Sequence, residues 1–249
     1  MRYRIPSLLL ISLISFTAFA QTETPKKVSR RPDIPGTFAL ELGFNQDIDA
    51  PNEFSLNFYG SRTVNLYYQY DFRILNSSFS FVPGIGLSLE RFKFGNDNTL
   101  DYDPADLRSI VMVPPADAGL SNIKKSHLIT NYIDVPLEIR YSTKPDDPGR
   151  SFKISVGGRV GYMYDSFTKI KYKEDGDVKK LKNKQDYNLS KFRYGLTGRI
   201  GIGNFSFFGY YNLSPLFEEG KGLSDIIDTE TSIKNDFSTF TIGISLASF

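Results

Sequence analysis

Cysteine and tryptophan are both missing from this 249-residue sequence, and histidine occurs once, at position 127. Without cysteine there are no disulfides and no thiolate metal sites, and nothing to mispair in an oxidising compartment. Net charge is also scarce: 30 Lys and Arg against 28 Asp and Glu leave +2, which argues against nucleic acid as a partner. No segment after the first twenty residues has the ~18–20 uninterrupted apolar residues that a membrane-spanning helix requires. The mean hydropathy of -0.28 is no bar to membrane insertion by strands, because half of each barrel strand is polar.

The N-terminus reads as an export signal. Arg2 and Arg4 form a basic start, Leu8 to Ala20 a short apolar core, and Ala18-Phe19-Ala20 a small-residue cleavage site before Gln21. No cysteine follows that site, so a lipoprotein anchor is excluded. Residues 21–35, rich in Lys, Arg and Pro, read as a flexible periplasmic lead-in. Removing residues 1–20 leaves about 229, a length that suits one domain, placed at 36–249.

What is abundant is alternation. Val64, Leu66, Tyr68, Tyr70, Phe72 and Ile74 occupy every second position, with Thr63, Asn65, Gln69, Asp71 and Arg73 among those between. Period two puts the two sets on opposite faces of a strand, and the run is long enough to cross a membrane at a tilt. Eight such segments are predicted, near 37–45, 62–74, 79–94, 128–141, 152–171, 189–202, 205–217 and 237–249. Short turns follow the second, fourth and sixth; long polar loops follow the first, third, fifth and seventh, the longest at 95–127. The fold class predicted is all-β: an eight-stranded antiparallel up-and-down transmembrane β-barrel with short periplasmic turns and long extracellular loops. An even strand count closes the sheet and removes its edges. The 14% aromatic content, all Phe and Tyr, suits strands whose ends lie at a membrane interface.

Parity alone does not decide which face meets lipid, since a soluble lipocalin-like barrel would turn the apolar face inward. Loop alternation, strand length and the C-terminal aromatic favour lipid outside. The charged face is then the lumen, carrying Glu41, Asp71, Glu90, Asp134 and Glu138 against Arg73, Arg140, Lys153, Arg159, Arg193 and Arg199. Acids dominate the first four strands and bases the fifth and sixth, so closing the barrel brings the two halves across from one another. An interior this narrow is filled by side chains, and its charges need partners. A salt-bridged structural plug is the reading preferred over an ion or proton path. Two segments fit poorly. The seventh has aromatics on both faces, with Phe208 and Tyr210 opposite Phe205 and Phe207. In the eighth, Phe249 is out of phase with Phe240, Ile242, Ile244 and Leu246, which a β-bulge near Ala247 would correct.

Motifs for catalysis or cofactors are weak, and no catalytic, metal or cofactor-binding residue is predicted. His127 lies beside Ser126 with Thr130 three residues on, but adjacent strand residues face opposite ways, so an ordinary interface histidine is favoured over a hydrolase pair. Asp97, Asp101 and Asp103 lack the glycine and closing glutamate of a calcium loop. Lys179, Lys180, Lys182 and Lys184 lie in an outer loop where solvent is preferred over lipid-A phosphates. Gly84, Gly86, Gly157, Gly158 and Gly161 fall inside strands with no helix following, which favours close packing or bending over a phosphate cradle.

The segment Asn131-Tyr132-Ile133-Asp134-Val135-Pro136-Leu137-Glu138-Ile139-Arg140-Tyr141 resembles a characteristic strand of the PorT-like outer-membrane β-barrel family of Bacteroidota. Pro83-Gly84-Ile85-Gly86-Leu87 and the terminal Phe add to the resemblance. It implies a non-enzymatic outer-membrane barrel with both termini in the periplasm of a Gram-negative bacterium. Its implied role is structural or in assembly, with type IX secretion as the sharpest version; a narrow solute or ion channel is the alternative. The implied partners are outer-membrane lipid, the barrel-assembly machinery during insertion, and envelope or secretion proteins.

Overall fold

A computed structural model describes residues 36–103, 109–114, 117, 119–120, 122–224, 233–234 and 237–248. Eight antiparallel strands form a closed ring: β1 (Thr37–Ile48), β2 (Arg62–Gln69), β3 (Phe79–Lys93), β4 (Ile123–Ser142), β5 (Phe152–Glu174), β6 (Phe192–Ile202), β7 (Phe205–Asn212) and β8 (Ser238–Ala247). Each strand pairs with the next in sequence, and β8 returns to β1 in continuous register from Ala39↔Ala247 to Ile48↔Ser238. That closure leaves no free edge in the ring. The β-bulge near Ala247 that would bring Phe249 into phase is not there, since pairing is continuous up to that residue; Phe249 itself lies outside the described residues. So do the signal segment and the lead-in.

The faces sort as the alternation requires. Leu40, Leu66, Leu87, Leu137, Val156 and Leu196 point out of the ring and are exposed; Glu41, Asn65, Ser88, Glu138, Ser155 and Thr197 point in and are buried. Exposed apolar residues on this scale mark a surface that meets something other than water. On β3 the outward apolar run extends from Phe79 to Leu89. Those ten residue steps span roughly 33 Å along the strand at ~3.3 Å each. At a tilt of ~40° this becomes about 25 Å, the height of the apolar band of an outer-membrane barrel. Outward aromatics collect at both ends of the band. Phe38 with Tyr68 and Phe79 with Tyr141 lie at the end of the short turns, Tyr162 with Phe192 and Phe44 with Phe58 at the end of the loops.

Several boundaries differ from those predicted. β2 stops at Gln69, and Phe72–Arg73 pairs separately with Phe81 and Ser80 before a turn in which Leu75 and Asn76 have positive φ. β4 starts five residues before Leu128, and β5 runs on past Lys171 into a hairpin with a strand at Asp177–Asn183. A bulge in β5 sets Asn131 opposite Asp165 but Tyr132 opposite Met163, so Tyr164 is extra. Beyond it, Ser166, Thr168 and Ile170 point inward. β7 ends at Asn212, because Leu216 and Phe217 turn inward.

The long loops fold at the mouth of the ring. Thr99–Tyr102, Ile110–Val113, Leu223–Ser224 and Ile233–Lys234 form a small sheet. Loop residues Phe54, Leu100, Ile110, Phe217 and Phe237 join inward-facing Phe92, Leu128 and Tyr132 in one apolar cluster. The rings of Phe54 and Phe237 lie 4.9 Å apart and those of Phe54 and Phe94 5.3 Å apart. Among the described residues the mouth thus holds a hydrophobic core.

Candidate functional site

Below that core the lumen holds a polar network in three levels, and in the first two the ion pairs join strands that are not neighbours. Nearest the loops, Arg193 on β6 contacts Glu90 on β3 at 2.6 Å and Asp134 on β4 at 2.7 Å. All three side chains are sealed from solvent, at 3%, 5% and 0% exposure. Asp134 is the hub. It accepts from Arg193, from Tyr67 Oη at 3.0 Å and from Ser88 Oγ, and Arg159 stands 3.7 Å away. Arg159 in turn donates to Tyr67 Oη. The two guanidinium groups also lie over aromatic faces, Arg193 3.7 Å from the Tyr132 centroid and Arg159 3.4 Å from that of Tyr210. Buried cations are tolerated here because carboxylates, hydroxyls and ring faces replace the lost water.

The ladder explains why these groups reach one another. One row around the wall reads Tyr67, Gly86, Asp134, Gly161, Arg193, so large polar side chains alternate with glycine. A Cβ on Gly161 would lie 2.2 Å from Asp134 Oδ1 and 2.9 Å from Arg193 Nε. The glycine leaves the volume through which the ion pair forms.

At the second level, Arg199 on β6 stands 2.9 Å from both Glu41 on β1 and Glu138 on β4. The contact is one of charge and proximity: the Glu41 and Glu138 Oε1 atoms and Arg199 Nε take part in no aligned hydrogen bond. Asn65 donates to the other Glu41 oxygen at 2.8 Å. The third level is the rim at the turn end. There Arg140 contacts Asp71 at 2.7 Å and Ser155 Oγ at 3.2 Å, and Lys153 donates to the Gly203 carbonyl at 3.1 Å. A cavity of ≈ 30 Å³ lies among Gln69, Arg140, Lys153, Arg199 and Asn204, room for about one or two waters.

Nine of the eleven charges expected in the lumen thus line it or its rim facing inward, and Asp71 is a half-exposed partner at that rim. Arg73 is the exception. It lies on the exposed Phe72–Arg73 segment and pairs with Asp146 of the next turn at 2.6 Å, because β2 has already ended at Gln69. Three lumen tyrosines, Tyr67, Tyr132 and Tyr210, were not among the expected site residues. Parity was the signal for the first two: each shares a face with a named polar residue, Asn65 and Asp134 respectively. For Tyr210 the signal was the inward aromatic that made β7 look irregular.

The weaker motifs separate. His127 sits on the outer wall between Lys93 and Lys169, whereas Ser126 and Thr130 are buried on the inner face. The serine and histidine do not share a surface. Among the described residues no group of three His, Cys, Asp or Glu is placed to hold a metal ion. Lys179 pairs with Glu174 and Lys184 with Asp165, both at 2.6 Å, and Lys182 lies over the Phe167 ring.

Residues 19–218 match a family model described as "Outer membrane protein beta-barrel domain". Among curated proteins none matches. The chain is similar to solved structures of Ail, the attachment invasion locus protein of Yersinia pestis. For the crystal structure the identity is 13% and the TM-score 0.34, over 86% of this chain and 100% of that chain. For the backbone structure in a phospholipid bilayer nanodisc they are 14% and 0.31, over 86% and 99%. The architecture assigned above rests on the hydrogen-bond registers of the ring and on the family match.

Proposed function

The chain belongs to the outer membrane protein β-barrel domain family, and from that premise we propose that it is a non-enzymatic structural or assembly component of the outer membrane, acting through its rims and not its lumen. The carrying observation is the lumen itself: the Glu90–Arg193–Asp134 network fills it at the level nearest the loops and the Phe54–Phe237 core lies over it at the mouth. A group that binds or conducts inside would have to displace both. The separation of Ser126 from His127 supports the non-enzymatic reading.

In this reading the short turns and both termini face the periplasm of a Gram-negative cell and the folded loops face outward. Lipid surrounds the apolar band, the barrel-assembly machinery acts during insertion, and envelope or secretion proteins meet the rims. The PorT-like resemblance of Asn131 to Tyr141, with Asp134 and Glu138 as its inward charges, makes protein export of the type IX kind the sharpest version of the role. Quantitative proteomics of the medium and cell surface tests it, comparing a deletion strain with its complemented parent. Broad, complementable loss of secreted cargo is the expected result; an unchanged secretome removes the export role.

A further inference from the structure

Immediately above the apolar band, the outer wall carries cations in positions where a sheet ordinarily avoids them. Arg62 on β2 is directly opposite Arg91 on β3. In the next row Lys93, His127, Lys169 and Lys182 follow one another across four adjacent strands. In the row beyond, Lys125, Lys171 and Lys180 do the same across three. Like charges directly opposite each other on paired strands are destabilising. Two carboxylates of this region, Asp165 and Glu174, are held by Lys184 and Lys179 instead. Among the described residues, Arg91, Lys93, Lys125, Lys169, Lys171 and Lys180 take part in none of the ion pairs found.

These side chains face outward: Arg62, Arg91, Lys93 and Lys125 share the parity of the apolar band on their strands, and Lys169 and Lys171 follow the Tyr164 bulge, which reverses the parity of β5. Arg91 follows Leu89 by two residues on β3, and Arg62 precedes Val64 by two on β2. With the band about 25 Å tall, the rows stand at the height of the lipid headgroups at the loop end. The same strands turn Ser126, Leu128, Thr168 and Ile170 inward, so the cations do not serve the barrel interior.

We propose that these rows form a binding face for lipid headgroups whose phosphate carries net negative charge, in the leaflet at the loop end. Phosphate oxygens between Arg62 and Arg91, and between the facing lysines, supply the counter-charge that the protein does not. Arginine and lysine are suited to this, the first as a fork and the second as a point charge.

The test uses the full chain reconstituted in phosphatidylcholine vesicles. Electron spin resonance then measures the association of spin-labelled phosphatidic acid with the protein wall relative to spin-labelled phosphatidylcholine. The parent is expected to prefer phosphatidic acid by about fivefold or more, a preference that collapses at high salt. Combining Lys169→Gln, Lys171→Gln and Lys182→Gln is expected to remove most of it and, by relieving repulsion, to leave the barrel at least as stable in neutral vesicles. Combining Lys179→Gln, Lys184→Gln and Lys221→Gln, which alters three lysines already paired with carboxylates, is expected to leave the preference in place. Heat-modifiable gel migration establishes folding of each variant. No preference in the parent, or equal loss in both triple variants, would overturn the proposal, the second result reducing the effect to net charge.

Discussion

Asp134 on β4 and Arg193 on β6 lie on strands separated by β5, yet they meet at 2.7 Å across Gly161, the residue paired with both. The barrel wall omits a side chain where the lumen requires an ion pair. The same relationship makes Asp134 the group whose loss leaves the most charge unmatched, since Arg193 and Arg159 both depend on it.

Asp134→Asn is accordingly expected to destabilise the folded barrel by about 3–5 kcal/mol, the range for breaking a buried pair on one side. Glu138→Gln, which removes a contact made without aligned hydrogen bonds, is expected to cost less. Urea unfolding in lipid vesicles measures both. Equal midpoints for the two variants would contradict the hub assignment.

Gly161→Ala places a methyl group against Asp134 and Arg193 and is expected to cost about 1–3 kcal/mol through overpacking. Gly158→Ala, three residues away, meets only the Gly195 carbonyl at 3.6 Å, an ordinary contact, and is expected to be near neutral. The pair of unfolding curves distinguishes a glycine required for space from one that is merely present.

The outward face has its own test. Leu137 is 44% exposed and pairs with Pro83, close to the middle of the apolar run on β3. Leu137→Arg is expected to cost about 2–4 kcal/mol in a bilayer, the penalty for a basic residue facing mid-membrane lipid. Val178→Arg, on the outer face of the hairpin beyond the band, is expected to be tolerated. Similar losses for both would place lipid elsewhere.

At the loop end, Tyr102 donates to Asp186 at 2.7 Å. Burial, then that bond, pushes the phenol up to about 12, and the bond holds the Asp186 carboxyl below its ordinary value. The raised phenol contributes stability that is complete below its ordinary value of 10.0 and lost as pH rises toward about 12. The depressed carboxylate contributes stability present above its ordinary value of 3.8 and lost as pH falls through its lower folded value. A tyrosinate absorbance titration of the parent minus that of Tyr102→Phe should therefore show one late-ionising phenol. A difference centred near 10 would mean that the Tyr102–Asp186 contact does not form.

Much of this fold was legible because period two states both faces of a strand at once. Asp134 and Glu138 against Ile133, Val135 and Leu137 is such a statement, and the ring follows it. Tyr67 was hidden by its chemistry, since an aromatic between Leu66 and Tyr68 reads as part of the lipid face until its parity is followed. The Tyr164 bulge was hidden because Asp165 and Ser166 are both polar and mask the change of phase. The mouth core was the least readable. Phe54 and Ile110 lie in loops whose polar composition suggests solvent, Phe217 and Phe237 read as ends of the seventh and eighth strands, and only the closed ring brings the four together.

The central claim, a lumen closed by paired charges beneath an apolar core, is tested most directly by single-channel recording of the purified full chain in planar bilayers. The account predicts a silent membrane for the parent and for Glu138→Gln. Discrete, ion-selective steps in the parent, altered by Glu138→Gln or Arg159→Gln, would contradict it and make the lumen a conducting path.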